Sequence, residues 1–319
     1  MGDYSFEVMH PLDSTDDAHD FSLKFGDVVG FNFEFNDAFP GGAYSSPWPG
    51  FGVYADIIIA SPVALTKWAL IIGINDYGGV DNLRGAVNDA KKVYNLLLND
   101  FNFPKDKVRL LTDEVRKATD DINGTRETII NALNWLRDNI NPGDLVVIYI
   151  SAHGGRARNT NEPEYIVPHT GAWISDNEFA TKINEIADHS PKLVVILDVS
   201  FSGGFIYDGG VPANLAQGNP VGRIVLTACD EALGRLWLLK DAHEWPYIGE
   251  GWEGVFTHYF LKAFKLDPLT GKLSGDFNND SRVTVEEAFK YASIWRLEYR
   301  LQRPQMYDGI VGDVYFGDS

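Results

Sequence analysis

LVVIYISAHGG (residues 145–155) and LVVILDVSFSGG (residues 193–204) are the two stretches of the sequence that decide the fold. Each begins with an uninterrupted run of Leu, Val and Ile, which is typical of a buried strand in a parallel sheet. Parallel strands end at the same edge of a sheet, and α/β proteins place their chemistry beyond the carboxyl ends of the strands. We therefore expect residues 151–155 and 198–204 to form neighbouring loops of one site.

Strands and helices alternate on both sides of these stretches from residue 68 onward. Apolar runs predict strands at 68–74, 108–111, 145–150, 193–197 and 223–227. Helical spacing of apolar residues predicts helices at 84–98, 125–140 and 176–186. Such alternation implies right-handed crossovers, so we predict an α/β fold with a mainly parallel sheet flanked by helices.

The first 62 residues differ in texture from the rest and predict a short β-rich segment ahead of the main domain at 63–319. Strand-like patterns occur at 6–9, 27–35 and 55–60, separated by glycine and proline. About sixty residues bury too little surface for an independent sandwich. We interpret this segment as an accessory or pro-segment that leans on the larger domain.

Composition excludes several classes of function. The chain has 319 residues, 45% of them hydrophobic, and a net charge of -18. A nucleic-acid-binding protein needs a basic surface, which this balance argues against, and no apolar run is long enough to span a membrane. The single cysteine rules out an intrachain disulfide and a thiolate metal cluster. It leaves the cellular location open, with a secreted or cell-surface protein favoured over a cytoplasmic one.

The two loops resemble those of caspase-like cysteine peptidases, the group that includes metacaspases, paracaspases and their prokaryotic relatives. Metacaspases carry S-G-H-G after one strand and D-x-C-x-S-G after the next. The matching positions here are Ser151, His153, Gly154, Asp198, Ser202 and Gly203, and the departures are Ala152 and Ser200. Residues 73–77 (GINDY), 83–90 (LRGAVNDA) and 227–229 (TAC) also resemble family motifs. The resemblance covers roughly residues 68–264.

The resemblance implies a catalytic pair of His153 and Ser200, which are 47 residues apart. In a cysteine peptidase the histidine takes the proton of the nucleophile and later protonates the leaving amine. Backbone N–H groups then stabilise the oxyanion, and the family-like donors here are Gly154 and the nitrogen of residue 200.

Ser200 occupies the position of the nucleophilic cysteine. A hydroxyl is far less acidic than a thiol, so a site built for Cys–His chemistry activates it poorly. The interpretation that we favour is a deliberate replacement that stops self-cleavage of an endopeptidase. The alternatives are a natural pseudoprotease that acts as a binding or scaffold module, and a working serine enzyme. No G-x-S-x-G elbow surrounds Ser200, which argues against the last.

Two aspartates predict the substrate class through the same resemblance. In metacaspase-like members an aspartate two residues before the nucleophile and a second one on the first helix line the primary specificity pocket. Their counterparts are Asp198 and Asp89. Two carboxylates suit a guanidinium or an ammonium group, so we expect a peptide or protein substrate with Arg or Lys at P1. A turn residue and a solvated helix face are the structural alternatives for Asp198 and Asp89.

Residues 276–287 (DFNNDSRVTVEE) have the ligand spacing of an EF-hand loop. The predicted Ca²⁺ ligands are Asp276, Asn278, Asp280, the carbonyl of Arg282, and Glu287. Ser281 departs from the pattern because it replaces the glycine of position 6, where the backbone needs a positive φ. A helix is predicted from 283 to 301. We expect any bound Ca²⁺ to be structural, and the alternative is an acidic turn that caps this helix.

A trapped precursor is a further expectation, since caspase-like enzymes are commonly activated by cleavage in exposed loops. Candidate sites are the basic residues Lys67, Arg156, Arg158, Arg235 and Lys240. Cleavage at Lys67 would release the β-rich segment.

Overall fold

A computed structural model describes residues 28–31, 33–39, 42–48, 55–58, 66–78, 82–113, 124–156, 163–189, 192–208, 210–218, 220–230, 244–249, 251–295 and 302–317. The chain divides into two compact units, residues 1–64 and 65–319. The predicted strand at 6–9 lies outside the described residues, as do residues 296–301 of the last predicted helix.

The first unit contains two antiparallel strand pairs. Its strands are β1 (Val28–Phe31), β2 (Phe33–Phe39), β3 (Gly42–Trp48) and β4 (Ala55–Ile58). β1 pairs with β4, and β2 pairs with β3. The sequence patterns at 27–35 and 55–60 predicted parts of β1, β2 and β4 but missed β3.

The second unit is built on a six-stranded sheet in the order β17-β14-β11-β7-β5-β6. Its strands are β5 (Lys67–Gly73), β6 (Val108–Thr112), β7 (Leu145–Ala152), β11 (Lys192–Val199), β14 (Arg223–Thr227) and β17 (Gln305–Asp308). All neighbours are parallel except β14 and β17. The predicted α/β fold class is therefore confirmed.

Five helices cover the two faces of this sheet. They are α1 (Ala86–Asn95), α2 (Arg126–Asn139), α3 (Asp176–Ala187), α4 (Val255–Ala263) and α5 (Val285–Trp295). Apolar residues of α1, α4 and α5 pack on one face, and those of α2 and α3 on the other. Because strand side chains alternate between faces, β7 sends Tyr149 to the first core and Ile148 to the second. None of the described helices has the length and apolar character that crossing a membrane requires.

Short strands complete the unit around the carboxyl ends of β7 and β11. They are β8 (Gly154–Arg156), β9 (Glu164–Ile166), β10 (Ile174–Ser175), β12 (Tyr207–Asp208), β13 (Val211–Pro212), β15 (Glu244–Gly249) and β16 (Gly251–Gly254). β8, β9 and β10 form one antiparallel sheet, and β15 and β16 form a hairpin. Of these strands, β8, β15 and β16 each contribute a residue to the lining of the site described next.

Candidate active site

A cleft of about 380 Å³ lies at the carboxyl ends of β7 and β11. Its lining residues are Leu83, Ser151, Ala152, His153, Gly154, Asp198, Ser200, Phe201, Glu244 and Gly254. Both loops singled out from the sequence therefore contribute to one cavity, at the edge where a parallel sheet places its chemistry.

His153 and Ser200 occupy corresponding positions on these two loops. β7 and β11 are adjacent and parallel, with Ser151 opposite Asp198 and Ala152 opposite Val199. His153 directly follows β7 and Ser200 directly follows β11, and both residues line the cleft. The structure thus brings the two together, as a Ser200–His153 pair requires.

Gly154 is required by the contact between the two loops. A Cβ atom at this position would lie 1.8 Å from the carbonyl oxygen of Ser200. Only glycine lets the backbone beside His153 approach the backbone of Ser200 so closely. Phe201 adds a second constraint, because its φ of 65° puts a bulky residue in the left-handed region. Such backbone strain is characteristic of functional sites.

Tyr77 holds the histidine loop, a role that the sequence reasoning missed. The backbone N–H of His153 donates a hydrogen bond to the Tyr77 hydroxyl at 2.7 Å, and this hydroxyl donates to the Ile74 carbonyl at 3.2 Å. The ring centroids of Tyr77 and His153 are 4.6 Å apart. Burial raises the pKa of Tyr77, so the phenol remains protonated. The sequence signal available for this role was the position of Tyr77 in the GINDY motif.

Cys229, the single cysteine of the chain, cannot replace the missing nucleophile. Its side chain is fully buried beneath the Ser200 turn, with its sulfur 3.4 Å from the Ser202 hydroxyl and 3.3 Å from the Val199 carbonyl oxygen. Burial raises the pKa of the Cys229 thiol to about 12, which keeps it un-ionised. A thiolate would therefore have to come from position 200.

Asp89 and Asp198 converge below the cleft. A Cβ atom at Gly254 would lie 2.4 Å from Oδ2 of Asp198 and 2.9 Å from Oδ2 of Asp89. The N–H of Gly254 donates to Asp89 Oδ2 at 2.8 Å, and the Thr257 hydroxyl donates to Asp198 Oδ2 at 2.6 Å. The Oδ1 atom of Asp89 is buried and has no hydrogen-bond partner.

Burial dominates the electrostatics of this pair. It raises the pKa of Asp198 to about 6, and burial together with the Asp198 charge raises the pKa of Asp89 well above its ordinary value. None of the ion pairs in the described part of the chain includes either carboxylate. Within the described residues, the pair therefore has no cationic partner.

Glu244 is a third carboxylate of the cleft that the sequence did not reveal. It accepts hydrogen bonds from the backbone N–H groups of Arg84, Gly85 and Ala86 at 2.8–3.1 Å. These groups lie at the N-terminal end of α1, where a carboxylate is favoured by the helix dipole. Glu244 thus fixes the helix that carries Asp89, from a position at least 158 residues away in the chain.

The predicted calcium loop folds around its acidic residues. Asp276 accepts hydrogen bonds from the N–H groups of Asp280 and Ser281 at 3.1 and 3.0 Å, and Glu287 accepts from the N–H of Phe277 at 3.1 Å. Ser281 has the positive φ, 69°, that the glycine position demands. The N–H of Arg282 donates to Asp280. In the described residues no three His, Cys, Asp or Glu side chains gather into a metal-binding group, so calcium stays a prediction.

The predicted self-cleavage sites differ in accessibility. Lys67 begins β5, is buried, and donates from Nζ to the Phe101 carbonyl at 3.0 Å, so it is unsuited to cleavage. Arg156 lies in β8, paired with Glu164 in the ladder with β9. Arg158, Arg235 and Lys240 lie outside the described residues.

Comparison with known sequences finds similarity to metacaspases. The family model for the metacaspase, peptidase C14 domain matches residues 67–207. Metacaspase-2 of Arabidopsis thaliana is 26% identical over 72% of the chain and 58% of its own length. Metacaspase-4 of the same plant is 31% identical over 44% of the chain and 35% of its length. The chain thus spans between about a third and three fifths of the length of these curated relatives.

Comparison with solved structures supports the fold. The crystal structure of a Geobacter sulfurreducens protein superposes with a TM-score of 0.52 and 17% sequence identity. The match covers 78% of this chain and 95% of the other. An identity this low bears on the fold alone. Residues 67–207 of the chain, from β5 to the start of β12, are therefore similar in sequence to the metacaspase peptidase C14 domain, on a fold shared with the solved structure.

Proposed function

We propose that this domain is built as a cysteine endopeptidase that cuts peptide or protein substrates after Arg or Lys, and that Ser200 makes the present chain inactive. The observation that carries the proposal is the pair Asp89 and Asp198. Both side chains are buried, Asp198 lines the cleft that holds His153 and Ser200, and neither forms an ion pair within the described residues.

A basic P1 side chain supplies what this pair lacks. Burial removes hydration from both carboxylates and raises both pKa values, and the charge of Asp198 raises the pKa of Asp89 further. A guanidinium or ammonium group between them would favour the ionised forms of both carboxyl groups and would donate hydrogen bonds to them. A P1 aspartate would add a third negative charge to the same pocket, so acidic substrates are disfavoured.

The serine at position 200 accounts for the expected inactivity. The resemblance places the nucleophile there, and Cys229 is buried with a thiol that does not ionise at neutral pH. A serine hydroxyl beside His153 needs more activation than a thiol. The second candidate function, a natural pseudoprotease that binds basic peptides without cutting them, is favoured by the same serine.

The test is to install the thiol and measure hydrolysis. Ser200→Cys should cleave fluorogenic peptides ending in Arg or Lys at least about 100-fold better than matched peptides ending in Asp or norleucine. Adding His153→Ala should abolish this cleavage. An active Ser200→Cys enzyme that prefers Asp would overturn the pocket assignment. A folded Ser200→Cys protein that cleaves none of the peptides while binding the basic ones would favour the pseudoprotease.

Calcium binding by residues 276–287 is a separate proposal, supported by ligand spacing and by the positive φ of Ser281. Asp276, Asn278, Asp280, the Arg282 carbonyl and Glu287 would hold the ion and brace the start of α5. Millimolar Ca²⁺ should raise the melting temperature and chelation should reverse the rise. Glu287→Gln should remove the response, whereas Glu286→Gln, one residue earlier, should keep it. Equal responses in both variants would place the ion elsewhere.

A further inference from the structure

A second pair of buried carboxyl groups lies beside the catalytic loops but outside the cleft. Glu164 belongs to β9 and is 8% exposed, and Asp176 begins α3 and is 3% exposed. β9 pairs with β8, directly after His153, and the N–H of Val167 donates to the His153 carbonyl at 2.9 Å. The pair therefore sits on the small sheet that supports the histidine loop.

The same two side chains contact the turn that follows Ser200. A Cβ atom at Gly204 would lie 2.3 Å from Cδ of Glu164, so this carboxyl group packs directly on the backbone of the 3₁₀ turn Ser202–Phe205. Asn214 connects the other member of the pair, Asp176, to the same turn. Its Nδ2 donates to Asp176 Oδ2 at 2.9 Å and to the Gly204 carbonyl at 3.4 Å.

A hydrogen bond between the Glu164 and Asp176 carboxyl groups needs one proton. Burial raises the pKa of Glu164 to about 7, against the lowering effect of the Arg156 charge, and burial also raises the pKa of Asp176. Arg156 Nε lies 3.3 Å from Glu164 Oε1 and is the cation that faces the pair within the described residues. The other groups that face it are neutral, namely Asn214 and the N–H groups of Glu164 and Asn177.

We propose that Glu164 and Asp176 share one proton and act as a positioning pair, which holds the turn after Ser200 against the sheet that supports His153. The pair connects the two loops at Gly204, where the absence of a side chain lets a carboxyl group reach the backbone of the turn. Loss of the shared proton leaves two adjacent negative charges and one arginine, which weakens this clamp. The expected effect on catalysis rests on the proposed function. The clamp, meaning the Glu164–Asp176 pair and its contact with the turn after Ser200, does not rest on it.

The clamp can be tested in the chain as it exists, with Ser200 in place. Amide NMR signals of Gly203 and Gly204 should titrate between pH 5.5 and 9, with a midpoint near 7. Glu164→Gln donates an N–H to Asp176 at every pH, so these signals should stop titrating. Glu178→Gln, at a half-buried residue of the same helix that pairs with Arg126 instead, should leave the titration unchanged. Asp176→Asn repeats the test from the other partner if Glu164→Gln folds poorly.

Melting temperature provides a second readout of the clamp. The raised pKa means that the folded state holds the extra proton, so stability falls as pH rises from the ordinary glutamate value through about 7. Glu164→Gln should shrink the loss of melting temperature between pH 5.5 and 8.5 by roughly 3–6 °C. Gly203 and Gly204 signals that do not titrate, or a melting profile unchanged by both variants, would overturn the shared proton.

The catalytic part is tested in the Ser200→Cys background. Thiol and histidine ionisation affect both enzymes alike, so the ratio of kcat/KM at pH 8.5 to that at pH 6.5 isolates the pair. Glu164→Gln should raise this ratio by roughly 3–10-fold, and Glu178→Gln should not. If Ser200→Cys cleaves nothing, the proposed function fails while the NMR and melting results still decide the clamp. An active enzyme with an unchanged ratio would reject the positioning role.

Discussion

The two carboxyl pairs beside Ser200 are buried to a similar degree but differ in what compensates them. Glu164 and Asp176 hydrogen-bond to each other, have Arg156 as a neighbour, and receive Asn214. Within the described residues, Asp89 and Asp198 receive neutral donors, Gly254 N–H and Thr257, and Asp89 retains a buried oxygen without a partner. The comparison teaches that the first pair is compensated by its neighbours in the fold, whereas the second leaves one buried oxygen uncompensated, as the proposed binding of a basic P1 side chain would require.

The largest expected effect is on substrate choice. In the Ser200→Cys enzyme, Asp198→Ala should lower kcat/KM for an Arg substrate by about 100–1000-fold, because a buried guanidinium would lose its partner. Cleavage of any residual norleucine substrate should fall much less. Asp176→Ala, the matched change in the internally compensated pair, should lower both activities by the same factor. If the two variants show the same selectivity for the Arg substrate over the norleucine substrate, the two carboxyl pairs do not differ in their role.

The next effect is on stability, which should improve when the cation-binding pair is neutralised. The folded-state pKa of Asp198, about 6, exceeds its ordinary value of 3.8, so its contribution to stability is fully present below the ordinary value and is lost as pH rises through about 6. Asp198→Asn should therefore gain about 1–3 kcal/mol in free energy of unfolding at pH 8. The gain should vanish near pH 4, and urea unfolding at both pH values measures it.

Asp144 provides the matched control for this stability gain. It is 1% exposed, like the pocket aspartates, but its oxygens accept hydrogen bonds from the Trp68 indole and from the backbone N–H groups of Thr66 and Asn141. Asp144→Asn should destabilise the protein at both pH values, because an amide replaces an acceptor among N–H donors. A gain in both variants would mean that burial alone, rather than missing compensation, sets the effect.

The smallest effect sharpens the comparison through a single hydrogen bond. Thr257→Val removes the hydroxyl that favours the ionised form of Asp198, so the pKa of Asp198 should rise further. In the Ser200→Cys enzyme the acidic limb of the Arg-substrate profile should then move to higher pH. Asn214→Leu, which removes the corresponding donor to Asp176, should leave that limb in place. If the acidic limb moves in neither variant, ionisation of Asp198 does not set that limb.

The sequence predicted the parts of this domain that depend on local pattern. β5, β7 and β11 are long apolar runs, and the helix starts at Thr125 and Ser175 are marked by side chains that accept an N–H from three residues on. By contrast, β8 contains two glycines and shows no alternation of apolar residues. Because α4 is apolar on nearly all sides, its apolar residues show no helical period, and this helix was not predicted.

The site was predictable only where one loop carries its own signal. His153 and Ser200 follow strands, Asp198 lies near the end of β11, and all three fit a family motif, whereas Asp89 entered by resemblance alone. The roles of Glu244 and Glu164 depend on contacts between segments that are far apart in the chain, to which no residue spacing points. Their burial and partners could be known only from the folded structure.

The central claim, that Asp89 and Asp198 await a cation, is tested most directly by binding to the chain as it exists. Under the proposed inactivity of the Ser200 chain the peptides stay intact, so calorimetry can compare a peptide with a C-terminal arginine amide against its norleucine counterpart. The arginine peptide should bind at least about tenfold more tightly at pH 8 than at pH 5, as Asp198 ionises through about 6, and Asp198→Asn should remove the difference. Equal binding of the two peptides at pH 8, with the protein folded, would contradict the account.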